Sequence, residues 1–190
     1  MTVTQAPTKV QQLAPKQRQG MELDLAAIDA VRNGRDSHAD DPSGDSRRAD
    51  VIDLLNGALA TELVCVLRYK RHFYTCSGVG NGPIKAEFLE HAQAEQEHAD
   101  ALAERIVQLN GSPNFNPATL VARSHAEYND SEDVQAMIRS NLIAERVAIE
   151  SYRLMIAAIG DKDPTTKHLL VGIMAVEEEH ADDMRDLLAK

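Results

Sequence analysis

The sequence predicts an all-α protein, a four-helix bundle assembled from two similar helix pairs. Three observations lead there. Four stretches carry apolar residues at steps of three and four, the spacing of one helix face. Each stripe is interrupted at one level by a glutamate, or by a glutamate and a histidine three residues apart, in the order Glu, ExxH, Glu, ExxH. The interruptions also repeat: Glu62 precedes Glu95 by 33 residues and Glu145 precedes Glu177 by 32, with Tyr69 and Tyr152 each seven residues after their glutamate. Each half therefore reads as an antiparallel helix pair.

Taken in order, residues 1–20 are rich in Gln and Pro, with Lys9, Lys16 and Arg18 and no acid, and are read as a flexible tail. Residues 21–49 are read as a short helix and a linker: Met21, Leu25, Ile28 and Val31 form a stripe that Gly34 stops, and HADDPSGDS breaks the pattern. The bundle is assigned to 50–190. Its first helix starts near Asp50 and ends before Ser77, with the order Ile52, Leu55, Leu59, Glu62, Val66, Tyr69, Phe73 on one face. GVGNGP turns the chain into a second helix over 84–109, free of Pro and Gly, whose stripe holds Ile84, Phe88, Glu95, His98, Leu102, Ile106 and Leu109. GSPNFNP ends it. ATLVARSHAEY, residues 118–128, predicts a short helix in the connection, after which Ser131 caps the third helix. That helix runs to Ile159 with Ile138, Leu142, Glu145, Ala148, Tyr152 and Met155 in line; GDKDP is a turn, and Pro164 opens the fourth, with Leu170, Ile173, Glu177, His180, Met184 and Leu187 in line.

Carboxylates and imidazoles that face a core carry a desolvation cost unless something neutralises them, and a metal does so. A lone ExxH is weak evidence, because such tetrapeptides arise on solvated helix faces. Four interruptions of four core stripes are a different matter. Two pairs facing each other bring Glu62, Glu95, His98, Glu145, Glu177 and His180 to one level of the bundle. Four carboxylates and two neutral imidazoles suit two divalent iron ions, whose four positive charges they cancel.

LNGALATELVCVLRYKRHF, EHAQAEQEHADALAERIVQLNGSPNF and EEEHADDM resemble the corresponding helices of bacterioferritins and of the related Dps-like ferritins, over residues 51–188. The resemblance implies a ferritin-like bundle with a di-iron site: Glu95 and Glu177 as bridging carboxylates, Glu62 with His98 at one iron, Glu145 with His180 at the other. It implies ferroxidase activity, Fe(II) being oxidised with O2 or H2O2 and stored as mineral in a homo-oligomeric cage. The Met that binds haem in bacterioferritins is Gln96 here, so no haem is expected. Met137, Met155, Met174 and Met184 read as core filler. The fifth helix of cages of twenty-four subunits is absent and the connection between helices two and three is long, so a dodecamer is favoured over a 24-mer. Other readings of the same ligands are a di-iron or di-manganese peroxidase or catalase; a Dps-type nucleoid protein would use the basic tail.

A net charge of −10 favours cations over nucleic acid, so DNA binding is expected to be weak. Aromatic residues make up 4% of the chain and Trp is absent, which predicts an aliphatic, Ala-rich core. Cys65 and Cys76 are expected to stay free, because eleven residues of helix separate them by roughly 16 Å. No long apolar run appears, so neither a membrane span nor a signal peptide is expected and the compartment is read as cytoplasmic. Tyr69 and Tyr152 are read as hydrogen-bonding partners of the glutamates, with Tyr69 also placed to donate an electron. Cys65 reads as a small buried hydrophobe, and Glu90 and His91 as ordinary polar helix residues rather than a transit site.

Overall fold

The computed structural model describes residues 42–189, together with Ala26 and Arg32 as helical positions. The expected tail and most of the expected helix over 21–33 lie outside the described residues. Among those described, the elements are helix α1 (Pro42–Thr75), α2 (Gly82–Gln108), a 3-10 turn (Pro117–Thr119), α3 (Leu120–Arg123), α4 (Val134–Ile159) and α5 (Pro164–Leu188), with no strand. α1 packs along α2 and α4 along α5, and across the bundle α1 meets α4 and α2 meets α5. Tyr69 reaches Glu145 while Tyr152 reaches Glu62, so α1 and α4 run in opposite directions. Arg105 bonds Asp163 while His91 stacks on His180, which gives α2 and α5 the same antiparallel relation.

Three boundaries differ from the sequence reading. α1 begins at Pro42 rather than near Asp50, so part of the expected linker is helical. Proline at a helix start loses no hydrogen bond, and Gly44 in the first turn costs only about 1 kcal/mol relative to Ala. The N-cap of α4 is Asp133, whose carboxylate accepts from the Ala136 amide at 2.7 Å, and not Ser131, whose own amide is held by Asn129 Oδ1 at 3.0 Å. The helix expected over 118–128 is confined to 117–123. Beyond it Ser124 Oγ donates to the Ala126 carbonyl at 2.7 Å, and the His125 amide donates to Thr61 Oγ1 at 3.0 Å. These bonds replace the next helical turn and tie the strand of chain to α1.

The remaining caps follow expectation. Pro164 sits in the first turn of α5, and Asp163 caps it by accepting from the Thr166 amide at 3.0 Å. Gly160 ends α4 at φ 61°, a conformation that a Cβ would strain. Cys65 and Cys76 are free and buried.

Two apolar clusters fill the bundle. One holds Leu55, Leu59, Leu102, Ile106, Met155 and Leu170, and the other holds Phe88, Met137, Ile138, Leu142 and Met184. Each fully buried Leu or Ile contributes roughly 1.5 to 3 kcal/mol, so the clusters can offset polar burial elsewhere. The level between them is polar. It carries the six residues singled out by the sequence.

Candidate metal centre

Each helix supplies its share because the stripe that faces the core also carries the acid. Glu62 comes from α1, Glu95 and His98 from α2, Glu145 from α4, and Glu177 and His180 from α5, all buried. The structure brings all six together. Glu62, Glu95, His98 and Glu177 offer ligand atoms within 4.8 Å of one another, and so do Glu95, Glu145, Glu177 and His180. Glu95 and Glu177 belong to both groups. The two groups thus have two carboxylates in common.

Several polar atoms in this level make no aligned hydrogen bond. Both oxygens of Glu95 and of Glu177, Glu145 Oε2, and the Nδ1 atoms of His98 and His180 are buried without a hydrogen bond. His98 Nδ1 lies 2.9 Å from Glu177 Oε1, 3.4 Å from Glu95 Oε2 and 3.7 Å from Glu62 Oε2, close but not aligned for hydrogen bonding. His180 Nδ1 lies 3.6 Å from Glu177 and 3.7 Å from Glu95. Ligand atoms around one ion with bonds of roughly 2.1 Å stand ~3.0 to 3.4 Å apart. The donor set therefore fits divalent cations: it is paired in kind, convergent, and unsatisfied without one.

Protons take up the charge when no ion is bound. Burial, followed by repulsion from Glu95, raises Glu62 to about 8. Glu145 is pushed well above the carboxylate range by burial and by repulsion from Glu95 and Glu177. Burial alone would depress both imidazoles, but the carboxylates around them win, carrying His98 to about 12 and His180 to about 9. Glu95 and Glu177 go the other way: burial, with repulsion from Glu177 on Glu95 and from Glu62 on Glu177, is outweighed chiefly by the histidines, which hold both ionised.

The tyrosines cross-brace the site. Tyr69 on α1 donates to Glu145 of α4, and Tyr152 on α4 donates to Glu62 of α1. Such partners fix the orientation of a ligating carboxylate. This matches the sequence reading that the tyrosines bond the glutamates.

Sequence reasoning set His91 aside as an ordinary polar helix residue and passed over Arg68. Glu90 is exposed, but His91 is buried, bonded through Nδ1 to Tyr69 Oη at 3.0 Å and stacked on His180 at 3.9 Å. Its spacing held the signal, since His91 lies three residues after Phe88 and four before Glu95, on the same stripe. Burial, then the neighbouring His180, lowers His91 to about 3. Arg68 is fully buried beside the centre, donating from Nε to Asn141 Oδ1 at 2.8 Å and from Nη1 to the Glu127 carbonyl at 3.1 Å. Its charge favours the ionised form of Glu145. Gln96 bonds Asp100 at 3.0 Å.

An antiparallel bundle with one long connection and a mid-level cluster of four glutamates and two histidines defines a class of carboxylate-bridged helical metalloproteins. The ferritin family, described as a ferritin-like domain, matches residues 52–190, and the chain belongs to that family. Its relatives fall on the bacterioferritin and Dps side of it. It is 31% identical to the bacterioferritin of Brucella melitensis over 145 residues, covering 74% of this chain and 85% of that protein. It is 27% identical to the nutrient stress-induced DNA-binding protein of a Synechococcus strain over 146 residues, 74% of this chain and 82% of the relative. Among solved structures, the dodecameric thioferritin of Bacteroides fragilis, a bacterioferritin-related protein, superimposes with TM-score 0.72 at 30% identity, covering 75% of this chain and 86% of that one. Dps from Thermosynechococcus elongatus shares the fold at TM-score 0.72 and 22% identity, covering 75% and 92%.

Proposed function

We propose that this protein is a cytoplasmic ferroxidase that stores iron in a homo-oligomeric cage. Fe(II) is its substrate, bound by Glu62, Glu95, His98, Glu145, Glu177 and His180. One observation carries the reading: two groups of potential ligands share Glu95 and Glu177 inside a core where the oxygens of those two glutamates make no hydrogen bond. Glu62 with His98 and Glu145 with His180 complete the two positions. Each of two Fe(II) ions gives up one electron. Peroxide takes both, together with two protons, to yield two waters; O2 is the other oxidant the reading admits. Tyr69 and Tyr152 hold Glu145 and Glu62 in place, and the apolar clusters on either side restrict water.

Storage needs many copies in closed symmetry, because one bundle encloses nothing. The dodecameric bacterioferritin-related neighbour supports a cage of twelve. The Synechococcus relative's name favours a second reading, DNA binding. We infer that it is weak at most, since the net charge of −10 repels a duplex and three basic residues in the tail make a salt-sensitive contact.

The test is anaerobic Fe(II) titration followed by exposure to O2 or H2O2, reading growth of ferric absorbance. Glu95→Ala and Glu177→Ala are each expected to abolish the fast phase while the protein stays folded. Wild-type rates in both variants would remove the dinuclear site from the account.

A further inference from the structure

Beside the dinuclear level, His91 turns its second nitrogen toward solvent-facing acids. Its Nε2 lies 3.4 Å from Glu87 Oε1, one turn earlier on α2, and 3.5 Å from Asp183 Oδ2 on α5. The His91 side chain is only 2% exposed, whereas Glu87 is 31% and Asp183 50% exposed. The cluster thus has a buried floor and an open mouth.

The proton on His91 is fixed by its inner neighbour. Tyr69 donates its own proton to Glu145, so its oxygen accepts from His91 Nδ1–H at 3.0 Å. Nε2 is then left with a lone pair directed at two carboxylates. Lone pair against carboxylate is repulsive, and a divalent cation turns the same arrangement into coordination. The spacing suits one: ligand atoms at tetrahedral positions around an ion with bonds of roughly 2.1 Å are ~3.4 Å apart. Two carboxylates and a neutral imidazole also cancel a divalent charge.

We propose that Glu87, His91 and Asp183 form a third divalent-cation site, separate from the dinuclear centre and open to solvent. His91 also belongs to a group with Glu145 and His180 whose ligand atoms lie within 4.8 Å of one another. The imidazole thus stands between the outer site and one half of the centre. An Fe(II) ion held outside has a short route to the Glu145 and His180 position. That role as a waiting position rests on the ferroxidase reading; occupancy of the site does not.

The experiment is calorimetric titration of the assembled, metal-free full-length protein with Co(II) under anaerobic conditions, counting tight equivalents per chain. Three are expected for the native protein and two for Glu87→Gln/Asp183→Asn, whose changed side chains are partly exposed and carry little packing. Two equivalents in the native protein, or three retained in the double variant, would overturn the proposal. A second pair of proteins separates this site from the centre. Glu95→Ala/Glu177→Ala is expected to keep one equivalent, and to lose it when Glu87→Gln and Asp183→Asn are added. Should Glu95→Ala/Glu177→Ala keep every equivalent, the dinuclear reading fails; the third site still stands if the two outer substitutions remove one ion, and falls if they remove none.

Discussion

Loading the centre with metal should expel about four protons per pair of ions. At pH 7 His98, raised to about 12, and His180, raised to about 9, carry protons, as do Glu62, raised to about 8, and Glu145, raised well above the usual range. Glu95 and Glu177 are ionised. Two imidazolium charges then balance two carboxylates, and the metal-free cluster is neutral. Two divalent ions bring the same four positive charges that the four protons supply. Ligands bind deprotonated, so exchange is close to one proton per unit of metal charge. The combined constant for both ions should consequently rise by ~10,000-fold per pH unit below pH 8. The slope should fall by one proton as pH passes Glu62 near 8 and by another past His180 near 9. Anaerobic titration with Co(II) in a weakly buffered indicator solution reads the release directly, and calorimetry in buffers of different ionisation enthalpy reads it independently. Glu62→Gln should lower the release by one. Release of two protons or fewer by the native protein would refute the reasoning, since it would mean that Glu62 and Glu145 are already ionised.

The same protons set the stability of the metal-free protein. Glu62, His180 and His98 bind protons more tightly folded than unfolded, so their contribution is present at low pH and is lost as pH rises; Tm should fall from about pH 4.5 to 8 through Glu62, from 6.5 to 9 through His180 and from 6.5 to about 12 through His98, and added Co(II) should flatten the fall. Glu95 and Glu177 have the opposite sign, and Tm should drop again as pH falls below about 4.5. Tyr152→Phe and Tyr69→Phe keep the ring but release Glu62 and Glu145, and each should weaken metal binding by roughly 10- to 100-fold in the same titration with little change in fold. Light scattering coupled to size exclusion should give a mass near twelve chains; a mass near twenty-four would contradict the assembly proposed above.

The fold was legible because the signal was periodic. Four long stripes, their interruptions and the Glu, ExxH repeat fixed four helices and one polar level without any contact information. The boundaries were less legible, because competition between nearby side chains decided them. Asp133 and Ser131 are both ordinary caps, and it is the bond donated by the Ala136 amide to the Asp133 carboxylate that shows which one acts. The helix after Pro117 stopped early for a reason that lies in another element, the Thr61 hydroxyl of α1. His91 was read as an ordinary polar residue for a different cause. Its spacing was visible, yet a histidine beside an exposed Glu90 reads as surface until Tyr69, His180 and Asp183 are seen around it.

The repeat also shows where the two halves of the centre stop being equivalent. The tyrosines obey it: each lies seven residues after its own glutamate, and because α1 and α4 run antiparallel each reaches the other's glutamate. The residues around them do not. Four before Glu95 stands His91, whereas four before Glu177 stands Ile173, buried in the apolar cluster with Tyr152. Six after Glu62 stands the buried Arg68, and six after Glu145 stands Ser151. Ten after Glu62 is His72, and ten after Glu145 is Met155. The side of Tyr69 and Glu145 thus carries His91 with Glu87 and Asp183 among its apolar neighbours, while the side of Tyr152 and Glu62 packs against Ile173, Met155 and Leu59. On the proposed reading, a cation crossing an apolar cluster would shed its hydration with nothing in return, which favours exchange with solvent past His91. On the proposed reading, the position of Glu145 and His180 fills and empties first, and the position of Glu62 and His98 is reached through it.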